Sequence, residues 1–360
     1  MNKIRVFEAF AGIRTQSIAL RNLGIDYEVV AISEIDKYAI QAGEAIQGKA
    51  NNLGDISKIK VEDIPQHDLF TYSFPCVDLS VAGKQEGLVR GQTRSGLLYE
   101  CEKIIEYCRP KYLLMENVKN LVGKKFKPQF DEWLKYLEGL GYTNYWQVLN
   151  AKDYGVPQNR ERVFVVSILG EHTPYEFPKP IPLDKCIADI LEDEVDEKYY
   201  INKPFHLVDK GHQAELDIKG QDCIKRVYSA DKIAPTLTAS GESGAKKILL
   251  PCIAASRGRY TENLSDRTTG VPTEQRLEFN TKGTSNTITT VQKDNYVVER
   301  TYRIRKLTPR ECFRLMGMRE DDIDKIQQAG ISDTQQYKMA GNSIVVNVLE
   351  GIFRNLFVKK

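Results

Sequence analysis

The first 170 residues alternate between short apolar runs and longer stretches in which apolar side chains recur every three or four positions. The runs are apolar enough to be buried on both faces and therefore predict strands, at residues 4–10, 27–33, 68–73, 112–116, 144–150 and 162–169. The amphipathic stretches predict helices, among them 16–23, 37–47, 97–107 and 129–140. This alternation predicts an α/β fold with a doubly wound, mostly parallel sheet, whose ligands lie beyond the carboxyl ends of the strands.

The rest of the chain does not continue this alternation. Four prolines within residues 171–182 cannot continue a helix or a central strand, so the first domain is expected to span residues 1–175. An imperfect repeat, residues 226–238 and 276–289, predicts a smaller β-rich domain over residues 176–300. The repeat is either a structural duplication or a pair of loops that reach a ligand. Helical patterns at 309–316 and 342–356 predict that residues 301–360 pack back on the first domain.

Composition excludes several classes of protein. With 41% hydrophobic residues the chain is not disordered throughout, and no apolar run approaches the ~20 residues of a membrane span. The N-terminus lacks a secretory signal, and none of the 7 cysteines forms a C-x-x-C pair, which indicates a reduced, cytoplasmic protein. The net charge of +2 argues against a polyanionic partner, but residues 184–222 carry a net −6 and residues 241–310 a net +6. The basic stretch is either a solvated face or a surface that meets a polyanion.

A candidate nucleophile follows the predicted strand 68–73. Cys76 lies in a loop with four glycines that runs to Gly96. A thiol at the end of a strand is placed for nucleophilic attack, and a glycine-rich loop can close over a substrate. Lys84 and Arg94 in this loop suit contacts with phosphate. The alternative is a cysteine that serves only in packing.

Two further elements lie at neighbouring strand ends. Glu116 ends the predicted strand 112–116, where it is either an active-site carboxyl group or a charge that caps the next helix. Gln158, Arg160 and Arg162 alternate onto one face just before the last predicted strand. Three long hydrogen-bonding side chains there indicate recognition of a carbonyl or phosphate group, unless they belong to a solvated edge strand.

Candidate cofactor residues follow the first two predicted strands. Phe10, Ala11 and Gly12 come after the first strand, and Glu34 after the second, where an acidic residue can bind the hydroxyl groups of a ribose. Asp55 adds a carboxylate that can accept from an adenine amino group. Because Gly-x-Gly-x-x-Gly is absent, a nicotinamide cofactor is not supported, and no cluster of histidines and cysteines suggests a metal.

Taken in order, these segments resemble the DNA (cytosine-5)-methyltransferases, particularly bacterial, phage and mollicute members. The similarity covers most of the chain outside about 171–300. It is carried by FEAFAG at 7–12, FPCVDLS at 74–80, ENV at 116–118, Gln158-x-Arg160-x-Arg162, RKLTPRE at 305–311 with its continuation to Gly317, and AGNSI at 340–344.

The resemblance implies a sequence-specific enzyme that transfers a methyl group from S-adenosyl-L-methionine to C5 of a cytosine flipped out of double-stranded DNA. It implies that Cys76 attacks C6 of the base and that Glu116, with a raised pKa, stabilises the addition near N3. It implies further that Arg162 binds O2 of the base and that Arg160 supports the pocket.

The resemblance also assigns binding residues and domains. The cofactor would contact residues at several strand ends: Phe10, Ala11, Gly12, Glu34 at the ribose, Ile35 on the adenine ring, Asp55 at its amino group, Leu97 and Asn342. Arg94, with Lys84, would lie near DNA phosphate, and Arg257 and Arg259 are expected to read guanine in the major groove. Residues 1–175 would then be the catalytic and cofactor-binding domain and 176–300 the target-recognition domain.

Two positions depart from the family pattern. Arg14 and Thr15 stand where glycines are usual, so Arg14 is expected either to crowd the cofactor or to contact its carboxylate. Val77 stands where Gln or Asn is usual, which affects a loop or DNA contact rather than the thiolate chemistry.

Two other functions fit the same motifs. One is an RNA cytosine-5 methyltransferase, although a variable region of this length favours duplex DNA; the other is a catalytically silent DNA-binding module. The expected protein is a cytoplasmic monomer that associates with the bacterial nucleoid on DNA and not with membranes. Both a cognate restriction endonuclease acting on the same site and carriage by a phage without one are compatible with the sequence.

Overall fold

The computed structural model describes residues 3–75, 95–208, 212–259, 274–280 and 301–358. The chain forms two compact units. The first contains Met1–Ile190, Ile233–Ala245 and Pro309–Lys360, and the second contains Leu191–Lys232 and Lys246–Thr308. The first unit continues past the limit expected at residue 175 to Ile190, the second unit continues past residue 300 to Thr308, and Ile233–Ala245 belongs to the first unit.

The first unit is built on a six-stranded sheet in the order β2-β1-β3-β4-β7-β5. Its strands are β1 Ile4–Ala9, β2 Tyr27–Ser33, β3 Leu69–Tyr72, β4 Tyr112–Val118, β5 Tyr142–Asn150 and β7 Glu161–Leu169, with a separate short pair of β6 Gln158–Asn159 and β12 Ala234–Pro235. Its helices are α1 Thr15–Asn22, α2 Lys37–Gln47, α3 Leu98–Cys108, α4 Lys127–Gly139, α6 Pro309–Arg314, α7 Glu320–Gln328, α8 Asp333–Asn342 and α9 Val346–Phe353. The predicted α/β class with a mostly parallel sheet is confirmed.

One strand of this sheet is reversed, and its direction determines the site. The pairs β1–β2, β1–β3 and β3–β4 are parallel, whereas β7 pairs antiparallel with both β4 and β5. The beginning of β7 therefore lies at the same edge of the sheet as the carboxyl end of β4. In this register Arg162 pairs with Val118.

Packing explains why these runs form strands. Four strands each contribute a buried side chain to one apolar core: Phe7 of β1, Phe70 of β3, Met115 of β4 and Val165 of β7. Trp133 of α4 belongs to the same core. Strands buried on both faces need apolar side chains in consecutive positions, which is the pattern that identified them.

The helical C-terminus differs from the sequence-based expectation. A single helix was expected over 342–356, but α8 ends at Asn342 and α9 begins at Val346. Two helices, α7 and α8, were not anticipated, because most of their residues are polar and each buries few large apolar side chains, such as Ile323 and Ile326 in α7 and Tyr337 in α8. Among the described residues, no helix is both long enough and apolar enough to cross a membrane.

The second unit is a small, mainly antiparallel β-structure. Its sheet has the order β8-β15-β13-β11-β10-β9, with β14 paired to β13. The elements are β8 Tyr200–Ile201, β9 Phe205–Leu207, β10 Ala214–Leu216, α5 Asp222–Lys225, β11 Arg226–Ser229, β13 Lys247–Arg259, β14 Glu274–Asn280 and β15 Thr301–Lys306. Its described core is small and includes Leu216, Val227, Leu249 and Ile304.

A glycine in α8 makes the return of residues 233–245 to the first unit possible. A Cβ atom at Gly341 would lie 2.4 Å from the backbone carbon and oxygen of Thr238. Such a contact cannot be relieved by a side-chain rotation. We therefore expect Gly341→Ala to lower the free energy of unfolding by about 1–3 kcal/mol, as overpacking does elsewhere.

Urea unfolding measures this effect against a matched control. Gly139 is also a helical glycine, and a Cβ atom there would meet no heavy atom within 4 Å. Gly139→Ala should be neutral or stabilising by up to about 1 kcal/mol, since alanine favours a helix. Equal stability of the two variants would contradict the close packing described for Gly341.

Candidate active site

A buried carboxyl group faces an arginine at the edge of the sheet where β4 ends. Glu116 is 8% exposed, and its Oε1 lies 3.2 Å from Nε of Arg162. Arg162 reaches Glu116 because it stands diagonally across from it in the antiparallel β4–β7 pair. Burial raises the pKa of Glu116, and the positive charges of Arg162 and Arg160 and a hydrogen bond from Ser73 only partly oppose this. Such a group can carry a proton closer to neutral pH than an exposed glutamate can.

The segment that leads to Cys76 is fixed by the same edge of the sheet. Asn117 Nδ2 donates to the carbonyl oxygen of Phe74 at 3.0 Å, and Ser95 Oγ donates to that of Pro75 at 2.7 Å. Ser73 hydrogen-bonds with Glu116. Thus Ser73 and Phe74 are tied to Glu116 and Asn117, and Pro75, which directly precedes Cys76, is tied to Ser95.

Several predicted residues fall outside this description. Cys76, Lys84 and Arg94 lie outside the described residues, so their assigned roles stay predictions. Asn117 and Ser95 were not selected from the sequence, although their adjacency to Glu116 and to the end of the Cys76 loop was a signal that could have found them.

Gln158 and Arg160 are buried, which rules out the solvated edge strand considered for them. Arg160 is 4% exposed and donates to three backbone carbonyls, those of Leu237 at 3.1 Å, Gly341 at 2.9 Å and Ser343 at 2.8 Å. Gln158 Nε2 donates to the carbonyl of Leu315 at 2.7 Å. The carbonyls that these two side chains bind belong to the chain itself. Two of those bound by Arg160 flank Asn342, a predicted cofactor residue.

A second group of predicted residues meets where β1 and β2 end. Glu34 accepts hydrogen bonds from the backbone N–H groups of Gly12 at 2.7 Å and of Ile35 and Asp36, both at 2.8 Å. These bonds fix the carboxylate and join residues 10–14, which we call the cofactor loop after the role predicted for them, to the start of α2. Carboxylate oxygens accept more than one hydrogen bond, so Glu34 keeps acceptor capacity.

The surroundings of Glu34 suit an adenosine group. Ile35 is 74% exposed, an uncommon state for a large apolar side chain. Asp55 accepts from Ser57 N–H and Oγ–H at 3.0 and 2.8 Å, and these bonds lower its pKa, so it stays an acceptor at neutral pH. The exposed apolar side chain of Ile35 and the acceptor oxygens of Glu34 and Asp55 match the flat ring and the hydrogen-bond donors of adenosine. The residues present therefore fit the adenosine part of S-adenosylmethionine.

Two other predicted cofactor residues lie at the ends of helical elements. Leu97 closes the short 3₁₀ helix Ser95–Leu97, directly before α3, and Asn342 is the last residue of α8, where it is exposed.

The side chain of Arg14 does not follow either expectation based on the family pattern. It is 6% exposed and turned into the protein, where its Nε lies 3.5 Å from Oε2 of Glu8. Its Nη1 donates to the carbonyl of Gly48 at 3.1 Å. The side chain of Arg14 therefore makes its contacts inside the protein and does not occupy the edge of the sheet where β1 and β2 end.

The predicted base-reading arginines lie in β13 of the second unit. In the β13–β14 pair Arg257 stands opposite Arg276, and Arg259 stands opposite Glu274. Reading of guanine by these residues remains a prediction. Across the described ranges, no group of three or more His, Cys, Asp or Glu side chains is arranged to hold a metal ion.

Comparison with known proteins gives a consistent result. A family model described as C-5 cytosine-specific DNA methylase matches residues 4–358. The chain is 36% identical to the type II methyltransferase M2.ScrFI of Lactococcus lactis subsp. cremoris, over 98% of this chain and 99% of that protein. It is 33% identical to the orphan methyltransferase M.SPBetaI of Bacillus phage SPbeta, over 99% and 98%.

Solved structures share the fold at low sequence identity. The Entamoeba histolytica methyltransferase EhMeth aligns with a TM-score of 0.70 and 17% identity over 100% of both chains. The S. pombe Dnmt2 methyltransferase aligns with a TM-score of 0.66 and 18% identity over 99% of both chains.

The raised pKa of Glu116 predicts a pH-dependent stability difference between the wild type and Glu116→Gln. Between the unfolded-state pKa, about 4.3, and the raised folded-state pKa, the folded wild type binds more protons than the unfolded chain, so its stability falls as the pH rises through this window. The amide has no such dependence. Glu116→Gln should therefore gain stability relative to the wild type with rising pH.

Urea unfolding of both proteins from about pH 4.5 to about pH 8 measures the trend. Glu132→Gln, on an exposed face of α4, controls for the loss of a carboxyl group at the surface. A difference between the wild type and Glu116→Gln that does not change with pH would show that burial does not control this carboxyl group.

Proposed function

This chain belongs to the C-5 cytosine-specific DNA methylases and is a DNA (cytosine-5-)-methyltransferase, and we propose that it methylates a flipped-out cytosine through a covalent adduct between Cys76 and C6. Its substrate is double-stranded DNA, and its methyl donor is S-adenosyl-L-methionine. A bacterial enzyme of this kind acts in the cytoplasm, where the DNA lies.

The observation that carries this mechanism is the buried Glu116–Arg162 pair beside the fixed segment before Cys76. The two side chains offer a carboxyl group that can hold a proton and a guanidinium 3.2 Å away. Cytosine presents a ring nitrogen, N3, next to a carbonyl oxygen, O2. A carboxyl group and an arginine in contact suit these two neighbouring atoms.

The addition step of the proposed reaction uses Cys76, Glu116 and Arg162. The Cys76 thiolate forms a bond with C6, and the electron pair of the C5–C6 double bond moves to C5. Glu116 donates a hydrogen bond or its proton at N3, and Arg162 binds O2, so both stabilise the negative charge that addition places on the ring. After C5 has taken up the methyl group, removal of the C5 proton by a base restores the C5–C6 double bond as the Cys76 sulfur leaves C6.

The cofactor residues are assigned to the edge where β1 and β2 end. Glu34 would accept from the ribose hydroxyls, Asp55 from the adenine amino group, and Ile35 would pack on the adenine ring, with Phe10 and residues of its loop, Leu97 and Asn342 completing the site. When bound, S-adenosylmethionine supplies the electrophilic methyl group that the activated C5 takes up.

The assignments for DNA rest on chemistry and on the family. A base inside a duplex is out of reach of a side chain, so the target must leave the stack. Lys84 and Arg94 would contact phosphate groups, and Arg257 and Arg259 of β13 would read bases. Arg160, which binds backbone carbonyls, would support the pocket by holding its walls rather than by touching the base.

Methyl transfer from labelled S-adenosylmethionine to plasmid DNA tests the proposal. Glu116→Gln is expected to lower kcat by about 10²–10⁴-fold, the usual contribution of a positioned acid. Glu132→Gln is the matched control and should keep wild-type activity. Label that enters tRNA but not plasmid would contradict DNA as the substrate.

Trapping with 5-fluorocytosine tests the nucleophile separately. Fluorine at C5 cannot leave as a proton does, so a covalent enzyme–DNA complex should accumulate with the wild type and be absent with Cys76→Ser. A complex that persists in Cys76→Ser, or none with the wild type, would show that Cys76 is not the attacking group. Bisulfite sequencing of DNA from cells that express the protein would identify the recognised sequence.

A further inference from the structure

The cofactor loop has an uncommon backbone. Phe10, Gly12 and Arg14 have φ angles of 53°, 54° and 64°, in the left-handed region. Residues other than glycine enter this region at a cost in free energy and stay there only when their surroundings hold them. The loop therefore requires anchoring contacts.

Arg14 supplies anchors at the C-terminal end of α2. Its Nη1 donates to the carbonyl of Gly48, the residue that follows this helix, at 3.1 Å. Gln47 Nε2 donates to the carbonyl of Arg14 at 3.1 Å. A cation at this end of a helix is also favoured by the helix dipole.

The guanidinium of Arg14 is paired on its other side with β1. Glu8, which is fully buried, has Oε2 at 3.5 Å from Arg14 Nε. Its other oxygen accepts from Ser17 N–H and Oγ–H at 2.9 and 2.7 Å. Arg14 thus joins the cofactor loop to a carboxyl group that is already fixed to α1.

A glycine of α2 makes room for the Arg14 stem. A Cβ atom at Gly43 would lie 3.2 Å from Arg14 Cδ and 3.6 Å from its Cγ. Glycine inside a helix is unfavourable relative to alanine, so its presence calls for a reason. The passage of the Arg14 side chain over this position provides one.

We propose that Arg14 is a positioning residue, whose side chain packs over Gly43 and holds the cofactor loop in the conformation that receives S-adenosylmethionine. The loop is then held near both ends of α2, by Glu34 through Gly12 N–H before the helix and by Arg14 after it. This inference rests on the proposed function, because it takes that loop as part of the cofactor site.

A double-mutant cycle between positions 14 and 43 tests it. Titration calorimetry gives the Kd for S-adenosylmethionine of the wild type, Arg14→Gly, Gly43→Ala and the double variant. Glycine adopts the backbone conformation at position 14 without strain, so Arg14→Gly removes the side chain and its contacts while the observed φ angle stays accessible. We expect the Kd to rise about tenfold, as it would if the competent loop conformation were occupied about a tenth of the time.

The coupling between the two substitutions, measured as Kd, separates the packing of Arg14 over Gly43 from a general effect of alanine in α2. Gly43→Ala should raise the Kd about threefold in the wild type and leave it unchanged in Arg14→Gly, where the facing side chain is gone. The Kd of Arg14→Lys, which keeps the stem and the charge, should lie between the Kd values of Arg14→Gly and the wild type.

The kinetic constants should show the same pattern. The KM for the cofactor should follow the Kd, with kcat at saturation unchanged, since Arg14 contacts no reacting atom. Gly139→Ala controls for alanine in a helix and should change neither constant.

Three results would overturn this role. One is an Arg14→Gly variant that unfolds at the wild-type urea concentration and binds the cofactor with wild-type Kd. Another is an effect of Gly43→Ala that is equal in both backgrounds. A loss of kcat with unchanged KM would place Arg14 in the chemistry instead. Failure of the wild type to bind S-adenosylmethionine would overturn the proposed function itself, and this inference with it.

Discussion

The buried guanidinium of Arg160 is the contact on which the assembly of the first unit depends. A buried charge without partners is costly, so the chain must bring acceptors to it. The acceptors are backbone carbonyls of Leu237, Gly341 and Ser343, from two segments far away in sequence. Residues 233–245 and the end of α8 therefore have to meet at the start of β7, and the close approach of Thr238 requires glycine at position 341.

The reversed direction of β7 connects this assembly to the catalytic groups. Arg160 and Arg162 are two residues apart, yet one binds carbonyls of the chain and the other lies against Glu116. Because β7 begins where β4 ends, the same short segment reaches both. A movement of the segments bound by Arg160 would thus be transmitted over a very short distance to Arg162, so the geometry of the Glu116 pair depends on the packing of the C-terminal helices.

The sequence predicted the elements and contacts that are formed by characteristic side chains. Buried strands show as apolar runs, and Glu116 and Arg162 are ionisable groups at strand ends, so both could be found. The partners of Arg160 and the contact of Arg14 with Gly48 could not, since every residue carries a carbonyl and its acceptor role leaves no mark in the sequence. The helices α7 and α8 were missed for a different reason: most of their residues are polar, and each buries few large apolar side chains.

The two arginines near Glu116 also show how the carboxyl group is tuned. Both positive charges lower its pKa, and burial raises it by more, so the net direction is upward. Arg160 binds backbone carbonyls of distant segments, and Arg162 lies 3.2 Å from the carboxyl group. Because burial outweighs both charges, the proton that the proposed chemistry needs at N3 depends on the exclusion of water from Glu116 rather than on the absence of positive charge near it. The packing that buries the end of β4 is therefore as necessary to the proposed protonation as the carboxyl group itself.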